Sequence, residues 1–304
     1  MAHKSEAWTK YWSTGALTSC SPKDINGVEI FRSYWHDYAL GLCSGTTIID
    51  LGTGSGYVAS IINTANRGLN VIGVDASSAD YAQVKNENKN LSDVSLLNNT
   101  DFTTFDFWRS HSSFDTIVSL FGVEYSNLNL LLESLSEFIT KDNAFNFVIH
   151  YDKGPIVAAG KENISAINFL LQKDSFIQKF NEYSQKRLSL RELQEYSQDL
   201  VSSSKGSRLN NIVKNVLLGA DLVLKNRAND FLSYQVWLEQ TEIKLKAELE
   251  RNKQLIGAGK SSNDMDDIFQ LFSNYFVCNE PKLLRMDAGA GMVPIAWSFT
   301  GENN

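Results

Sequence analysis

Long apolar runs are missing from this 304-residue chain. No stretch approaches the roughly 18 residues that cross a bilayer, and the opening MAHKSEAWTKYW lacks the continuous apolar segment of a signal peptide. A cytoplasmic protein without a membrane partner is expected. Cysteine is scarce: Cys20, Cys43 and Cys278 stand far apart with no paired spacing, which argues against a disulfide framework or a zinc cluster and leaves reduced thiols. Carboxylates and histidines nowhere show ligand spacing, so no metal is expected. A basic excess is lacking too. The formal net charge of −7 would repel a phosphate backbone, so a nucleic-acid partner is disfavoured. Proline is absent between Pro155 and Pro281.

What is present suffices for a sizeable core, with 43% hydrophobic residues. From Thr46 to about Asp152 short apolar runs alternate with amphipathic segments at βαβ spacing: TTIIDLG (46–52), LNVIGVDA (69–76), VSLLNN (94–99), FDTIVSLFG (114–122) and AFNFVIHYD (144–152). They lack strict alternation, as strands do when both sheet faces are covered. A doubly wound, Rossmann-like α/β core follows. After Pro155 the apolar period becomes helical, at Ile164, Ile167, Leu170 and Leu171, at Phe176, Phe180 and Tyr183, at Ile212, Val216 and Leu217, and at Trp237 and Ile243. Polar breaks at SSSKGS (202–207) and GAGKSSND (257–264) divide this stretch into four or five helices. The tail returns to strand composition around DAGAG (287–291), a hairpin signal. The expected organisation is an N-terminal helical cap or flap (1–45), a cofactor-binding core (46–155), a helical insertion forming an acceptor pocket or lid (156–280), and a hairpin (281–304) supplying the last two of seven strands.

Inside IIDLGTGSGYVA (48–59), glycines recur at 52, 54 and 56 behind Asp50. Such a turn can serve a dinucleotide, a nucleoside triphosphate or S-adenosylmethionine. Tyr57 replaces the third glycine of G-x-G-x-x-G, and no Gly-Lys-Ser/Thr ending is present for a P-loop. Asp50 would sit where a dinucleotide places its pyrophosphate, an unfavourable meeting of like charges. A sulfonium and an ammonium favour that carboxylate, which selects S-adenosylmethionine. Asp75, about 20 residues past the turn, suits the ribose hydroxyls or caps the following helix through Ser77 and Ser78. Asp101 suits the adenine amino group, or caps a turn, and Phe102 can cover the base.

IIDLGTGSG, VIGVDAS, NNTDF and FDTIVSLFGVEYS resemble the successive cofactor motifs of the class I S-adenosylmethionine-dependent methyltransferases, over about residues 46–152. MVPIAWSFTG is similar to the last strand of many members. WTKYWSTGALTSC and FGVEYS further resemble a bacterial branch of unassigned substrate, and the long insertion departs from the minimal fold. The resemblance implies the methionine portion on Asp50, Gly52, Thr53, Gly54, Ser55 and Gly56, the ribose on Asp75 and Ala76, the adenine on Asp101 and Phe102, and Ser119 beside the cofactor. S-adenosylhomocysteine would be the product.

The acceptor should lie over the ends of the fourth and fifth strands. His150 is the leading base, or else a hydrogen-bonded wall. Glu124 binds a cationic acceptor or caps the next helix, and Tyr125 lies beside it. Trp8, Tyr11 and Trp12, at i, i+3 and i+4, form a flap over the cofactor's methionine end or pack on the core; Phe31, Tyr34, Trp35 and Tyr38 read as a buried stripe. No DPPY or NPPY loop, Pro-Cys nucleophile or iron–sulfur cysteine motif is present. Methylation of an oxygen, carboxylate or nitrogen on a small molecule or peptide is expected, oxygen and carboxylate ahead of nitrogen. Aminocarboxypropyl transfer is the enzymatic rival; a silent binding module presenting 238–255 to a protein partner is the non-enzymatic one. The apolar stripes of the insertion also suit a homodimer.

Overall fold

The computed structural model describes residues 2–12, 25–203, 210–226 and 230–303. Cys20 lies outside them; Cys43 and Cys278 are free thiols. The chain forms two compact units, residues 1–158 with 254–304, and residues 159–253.

The first unit opens with helices α1 (Ala2–Trp12) and α2 (Ile25–Leu40) and then alternates β1 (Thr47–Leu51), α3 (Tyr57–Ala65), β2 (Asn70–Val74), α4 (Tyr81–Glu87), β3 (Ser95–Leu97), α5 (Phe105–Ser110), β4 (Thr116–Leu120), α6 (Leu128–Leu135) and β5 (Ala144–His150). Helices α7 (Pro155–Leu171), α8 (Phe176–Ser184), α9 (Leu190–Ser203), α10 (Asn211–Asn226) and α11 (Phe231–Ala258) follow. The chain closes with α12 (Ser262–Phe272), β6 (Val277–Cys278), β7 (Lys282–Asp287) and β8 (Met292–Glu302).

The strands make one sheet in the order β3-β2-β1-β4-β5-β8-β6, with β7 also on β8. The first five are parallel, and β8 runs antiparallel to β5, β6 and β7. The sheet has eight strands rather than seven because the two-residue β6 pairs with the end of β8.

Side-chain alternation explains why the strands are apolar throughout. Ile49, Leu51, Ile117, Phe145, Phe147 and Phe299 enter one cluster with Trp108, Leu131, Leu135, Ile268 and Phe272. Ile48, Val71, Val118, Val148 and Ala296 enter the opposite cluster with Phe31, Trp35, Val58 and Ile62. Helix α12 therefore belongs to the sheet packing rather than to the insertion. Phe31 and Trp35 are fully buried, while Tyr34 donates to Asn146 Oδ1 (2.7 Å) and Tyr38 shares a 2.8 Å bond with Thr116 Oγ1. That is the buried stripe expected of α2.

The second unit has its own core, in which Ile167, Leu170, Phe176, Phe180, Tyr183, Val216 and Tyr234 are buried. Leu238 and Leu245, seven residues apart, share the buried face of α11, and Ile243 falls on the far side at 46% exposure. The stretch 238–255 is thus a two-sided helix with one face in the core of its unit and the other exposed. No described helix is long and apolar enough to cross a membrane.

Candidate functional site

The carboxyl ends of β1, β2, β4 and β5 bring the sequence motifs to one edge of the sheet. The β1 turn is a backbone cradle. Gly52, Gly54 and Gly56 all have positive φ, and the Gly52 and Thr53 amides both donate to the Val74 carbonyl, at 2.9 and 3.0 Å. A Cβ on Gly52 would stand 2.6 Å from the Gly122 Cα, so the first and fourth strand turns meet backbone to backbone. Gly56 leads into the first turn of α3. Ser55 and Thr53 are buried.

Asp50 departs from expectation. Its carboxyl is buried beneath the turn, where it accepts the Thr53 hydroxyl at 2.6 Å. Burial raises its pKa to about 7, the Thr53 bond opposing and the Asp75 charge adding to the rise. A carboxylate at the lip of the crevice is therefore corrected to a supporting group under the floor. The carboxylate beside the turn is Asp75, half-buried, whose Oδ2 accepts the Gly54 amide and whose Oδ1 accepts the Ser77 amide, both at 2.8 Å. Asp75 does not cap α4, because Asp80 accepts the Gln83 amide there at 3.0 Å. Ala76 is exposed beside it.

At the end of β3, Asp101 Oδ1 accepts both the amide and the hydroxyl of Thr103, at 2.9 and 2.7 Å. Its turn-capping role is real and uses a single oxygen. Phe102 is buried in the sheet cluster, and its carbonyl accepts Trp108 Nε1 at 2.8 Å. It forms wall rather than a free face over a base.

The β4 end corrects two further expectations. Ser119 has no exposed surface; its hydroxyl donates to the Leu51 carbonyl (2.7 Å) and accepts the Val123 amide (2.9 Å). It ties β4 to β1 and has no donor left for a ligand. His150 is likewise fully buried, its ring stacked on Phe121 at 4.1 Å and 3°. In this position it is built into the wall, the alternative that the sequence offered beside its role as a base. Phe121 holds φ +56, a left-handed conformation costing a side-chain-bearing residue about 1–2 kcal/mol. Strain of this kind concentrates at functional sites.

Glu124 lies at the same edge, in the turn after β4. It is only 5% exposed; Oε1 accepts the His150 amide at 3.0 Å, and Oε2 has no partner among the described residues. Burial raises its carboxyl to about 7, against the His150 amide bond and the more distant Lys260 charge. It does not cap α6, since Asn127 accepts the amides of Asn129 and Leu130. Tyr125 packs edge-on to the His150 ring at 6.0 Å and to Trp8 at 5.4 Å.

Helix α1 bridges this edge. A side chain on Gly54 would collide with the Trp12 ring. Thr9 Oγ1 accepts the Ser78 amide at 3.0 Å, and Trp8 Nε1 donates to Gln254 at 2.9 Å. Trp8 stacks on Trp12 at 6.2 Å, and Tyr11 stands edge-on to Trp12 at 5.0 Å. Contacts on the turns after β1, β2 and β4 make α1 a cover over them.

Phe121 and Gly122 fall within SLFGVEY (119–125), the stretch that the sequence places at this edge, whereas nothing local in the sequence distinguishes Tyr81. Tyr81 and Ser77 are buried, and their hydroxyls have no partner among the described residues. Each orphaned hydroxyl costs about 1–3 kcal/mol. Among the described residues no group of three His, Cys, Asp or Glu side chains could hold a metal ion.

Residues 48–148 match the Methyltransferase domain family. No curated protein matches the chain. Solved structures similar to it include a methyltransferase bound to the Haloferax volcanii Trm112 activator, at 22% identity and TM-score 0.35, covering 47% of this chain and 60% of that one. A geranyl diphosphate methyltransferase in complex with GPP and sinefungin is 16% identical at TM-score 0.33, covering 46% of this chain and 50% of its own. The plantazolicin methyltransferase BpumL, in complex with SAH, is 10% identical at TM-score 0.43, covering 99% and 87%. The chain spans 60% and 50% of the lengths of the first two.

Proposed function

We propose that this chain, which carries a class I S-adenosylmethionine-dependent methyltransferase domain over residues 48–148, methylates a nitrogen nucleophile on a small molecule or peptide, with Glu124 taking the proton. One observation carries the choice of acceptor. Glu124 is a buried carboxyl with a pKa of about 7 and a partnerless Oε2, at the end of the strand where the acceptor should lie.

The residues present fit the cofactor. The Gly52–Gly56 turn holds all three glycines at positive φ at the end of β1; Asp75 keeps acceptor capacity on both oxygens for the ribose diol; and Asp101 Oδ2 suits the adenine amino group. S-adenosylmethionine, when bound, supplies a methyl group on an electrophilic sulfonium. Helix α1, through Trp8, Tyr11 and Trp12, closes over these turns and excludes water.

In the transfer the nitrogen–carbon bond forms as the carbon–sulfur bond breaks, and the proton lost by nitrogen passes to Glu124. A carboxyl near 7 suits this task. Alcohols ionise far above that range, and an anionic carboxylate acceptor would be repelled by the ionised Glu124. This order, nitrogen first, reverses the one composed from the sequence, where His150 was the leading base.

Calorimetric titration with S-adenosylhomocysteine tests the cofactor half; no binding at roughly 100 μM ends the reading. Product masses from matched amine, alcohol and carboxylate panels test the acceptor half, and methylation confined to oxygens overturns the nitrogen assignment.

A further inference from the structure

Two hydroxyls on one short segment have no hydrogen-bond partner among the described residues although both are buried. Ser77 Oγ belongs to a residue 2% exposed, and the Tyr81 hydroxyl to one 8% exposed. Ser77 lies in the turn after β2, and Tyr81 opens α4, straight after the N-cap Asp80. Between them the segment is otherwise well satisfied: the Ser77 amide donates to Asp75, the Asn99 amide donates to the Ser77 carbonyl, and the Tyr81 amide donates to the Ala79 carbonyl.

A phenylalanine at 81 would fill the same space without the cost of a buried hydroxyl, and an alanine at 77 would likewise leave no orphan. Unsatisfied groups of this kind in a native fold call for a specific occupant. Both hydroxyls belong to the segment that begins at Asp75. The carboxylates of Asp75 and Asp50 lie near enough to the Tyr81 hydroxyl to add to its burial in holding it protonated. Burial first, and these carboxylates after it, keep the phenol protonated, so it offers a donor.

We propose that Tyr81 and Ser77 are cofactor-positioning residues whose hydroxyls donate to the ribose oxygens of the ligand held by Asp75. A ribose diol presents two O–H donors and the lone pairs of two oxygens. Asp75 accepts from the donors, and the two protein hydroxyls supply what the lone pairs lack. The pair distinguishes a ribose from a deoxyribose, a discrimination that a carboxylate makes only through the donors. This inference rests on the crevice binding S-adenosylmethionine.

The test is calorimetric binding of S-adenosylhomocysteine to the full chain, wild type against Tyr81→Phe and Ser77→Ala, with thermal melts of the free proteins alongside. Binding should weaken about 10-fold in Tyr81→Phe and about 5-fold in Ser77→Ala, while the unliganded melting temperature stays level or rises. The Tyr81→Phe penalty should vanish on either the 2′-deoxy or the 3′-deoxy ligand. Equal affinity of both variants for S-adenosylhomocysteine overturns the proposal, pointing to trapped water as the partner. A penalty that persists on both deoxy ligands overturns the ribose assignment. Absence of binding by the wild type would instead remove the cofactor reading on which this one stands.

Discussion

The two halves of the sheet edge are built on opposite plans. Around β1 and β2 the polar groups rest on main chain: Asp75 holds the Gly54 and Ser77 amides, and Thr53 screens Asp50. Around β4 and β5 the groups are aromatic and strained, with Phe121 at positive φ stacked on His150 and a carboxyl oxygen of Glu124 left without a partner. Under the proposed function the first half is the seat of the cofactor, and the second holds the titratable group that takes the proton. Where the halves touch, Gly52 against Gly122, no side chain intervenes.

That seam offers the severest test of the contrast. Gly52→Ala forces a Cβ to 2.6 Å from the Gly122 Cα at φ +70; a loss of roughly 3 kcal/mol and of measurable S-adenosylhomocysteine binding is expected, read by thermal melts and calorimetry. If the variant folds and binds normally, the two turns do not depend on their close approach. Next in size, Glu124→Gln should lower kcat about 100-fold with cofactor affinity unchanged. The wild-type rate should climb as pH rises through about 7, as the Glu124 carboxylate forms, and the variant should lose that limb. A parallel loss of cofactor affinity would erase the division of labour.

The same two buried acids set the pH dependence of stability. The pKa values of Asp50 and Glu124 are raised in the folded chain to about 7, so the folded state retains protons that the unfolded chain releases. Their stabilisation is complete below their unfolded values and is lost as pH rises through about 7. These two groups should lower the melting temperature between about pH 4 and pH 7, with Glu124→Gln flattening part of that slope; a slope that Glu124→Gln leaves unchanged contradicts the raised carboxyl. A smaller effect is expected at the cover: Trp12→Ala should weaken S-adenosylhomocysteine binding about 10-fold through faster release. Least of all, His150→Phe preserves the stack on Phe121 and should keep kcat within about threefold, whereas a collapse comparable with Glu124→Gln would restore the imidazole as the base.

The core was legible because two local signals coincide there. Period-two burial assigned Ile48 and Ile49 to opposite faces of β1, and the glycine turn with Asp75 lies within one contiguous βαβ segment. The burial of Glu124 and His150 was not legible, since both stand at strand ends and only three-dimensional packing buries the imidazole against Phe121. Asp50 was misplaced for the same reason: sequence gives its strand position but not its depth beneath Thr53. Helix α12 shows the amphipathic pattern of its neighbours, and no pattern of that kind tells which surface it will cover. Tyr81 and Ser77 stand out only through missing partners, a property that exists in coordinates alone.

Strand β8 leaves its mark on how the chain reaches this state. It pairs with β5 along the whole of that strand, from Ala144↔Glu302 to His150↔Ala296, and carries β6 and β7 on its other side. During synthesis the Phe145 and Phe147 edge must wait until every insertion helix has been translated, roughly ten seconds at ribosomal pace. Until then an apolar parallel edge stays open to other nascent chains, while the helical unit, made of local contacts, is free to form early. Recovery from denaturant should accordingly be slow and concentration-sensitive, with sheet closure trailing the return of helix.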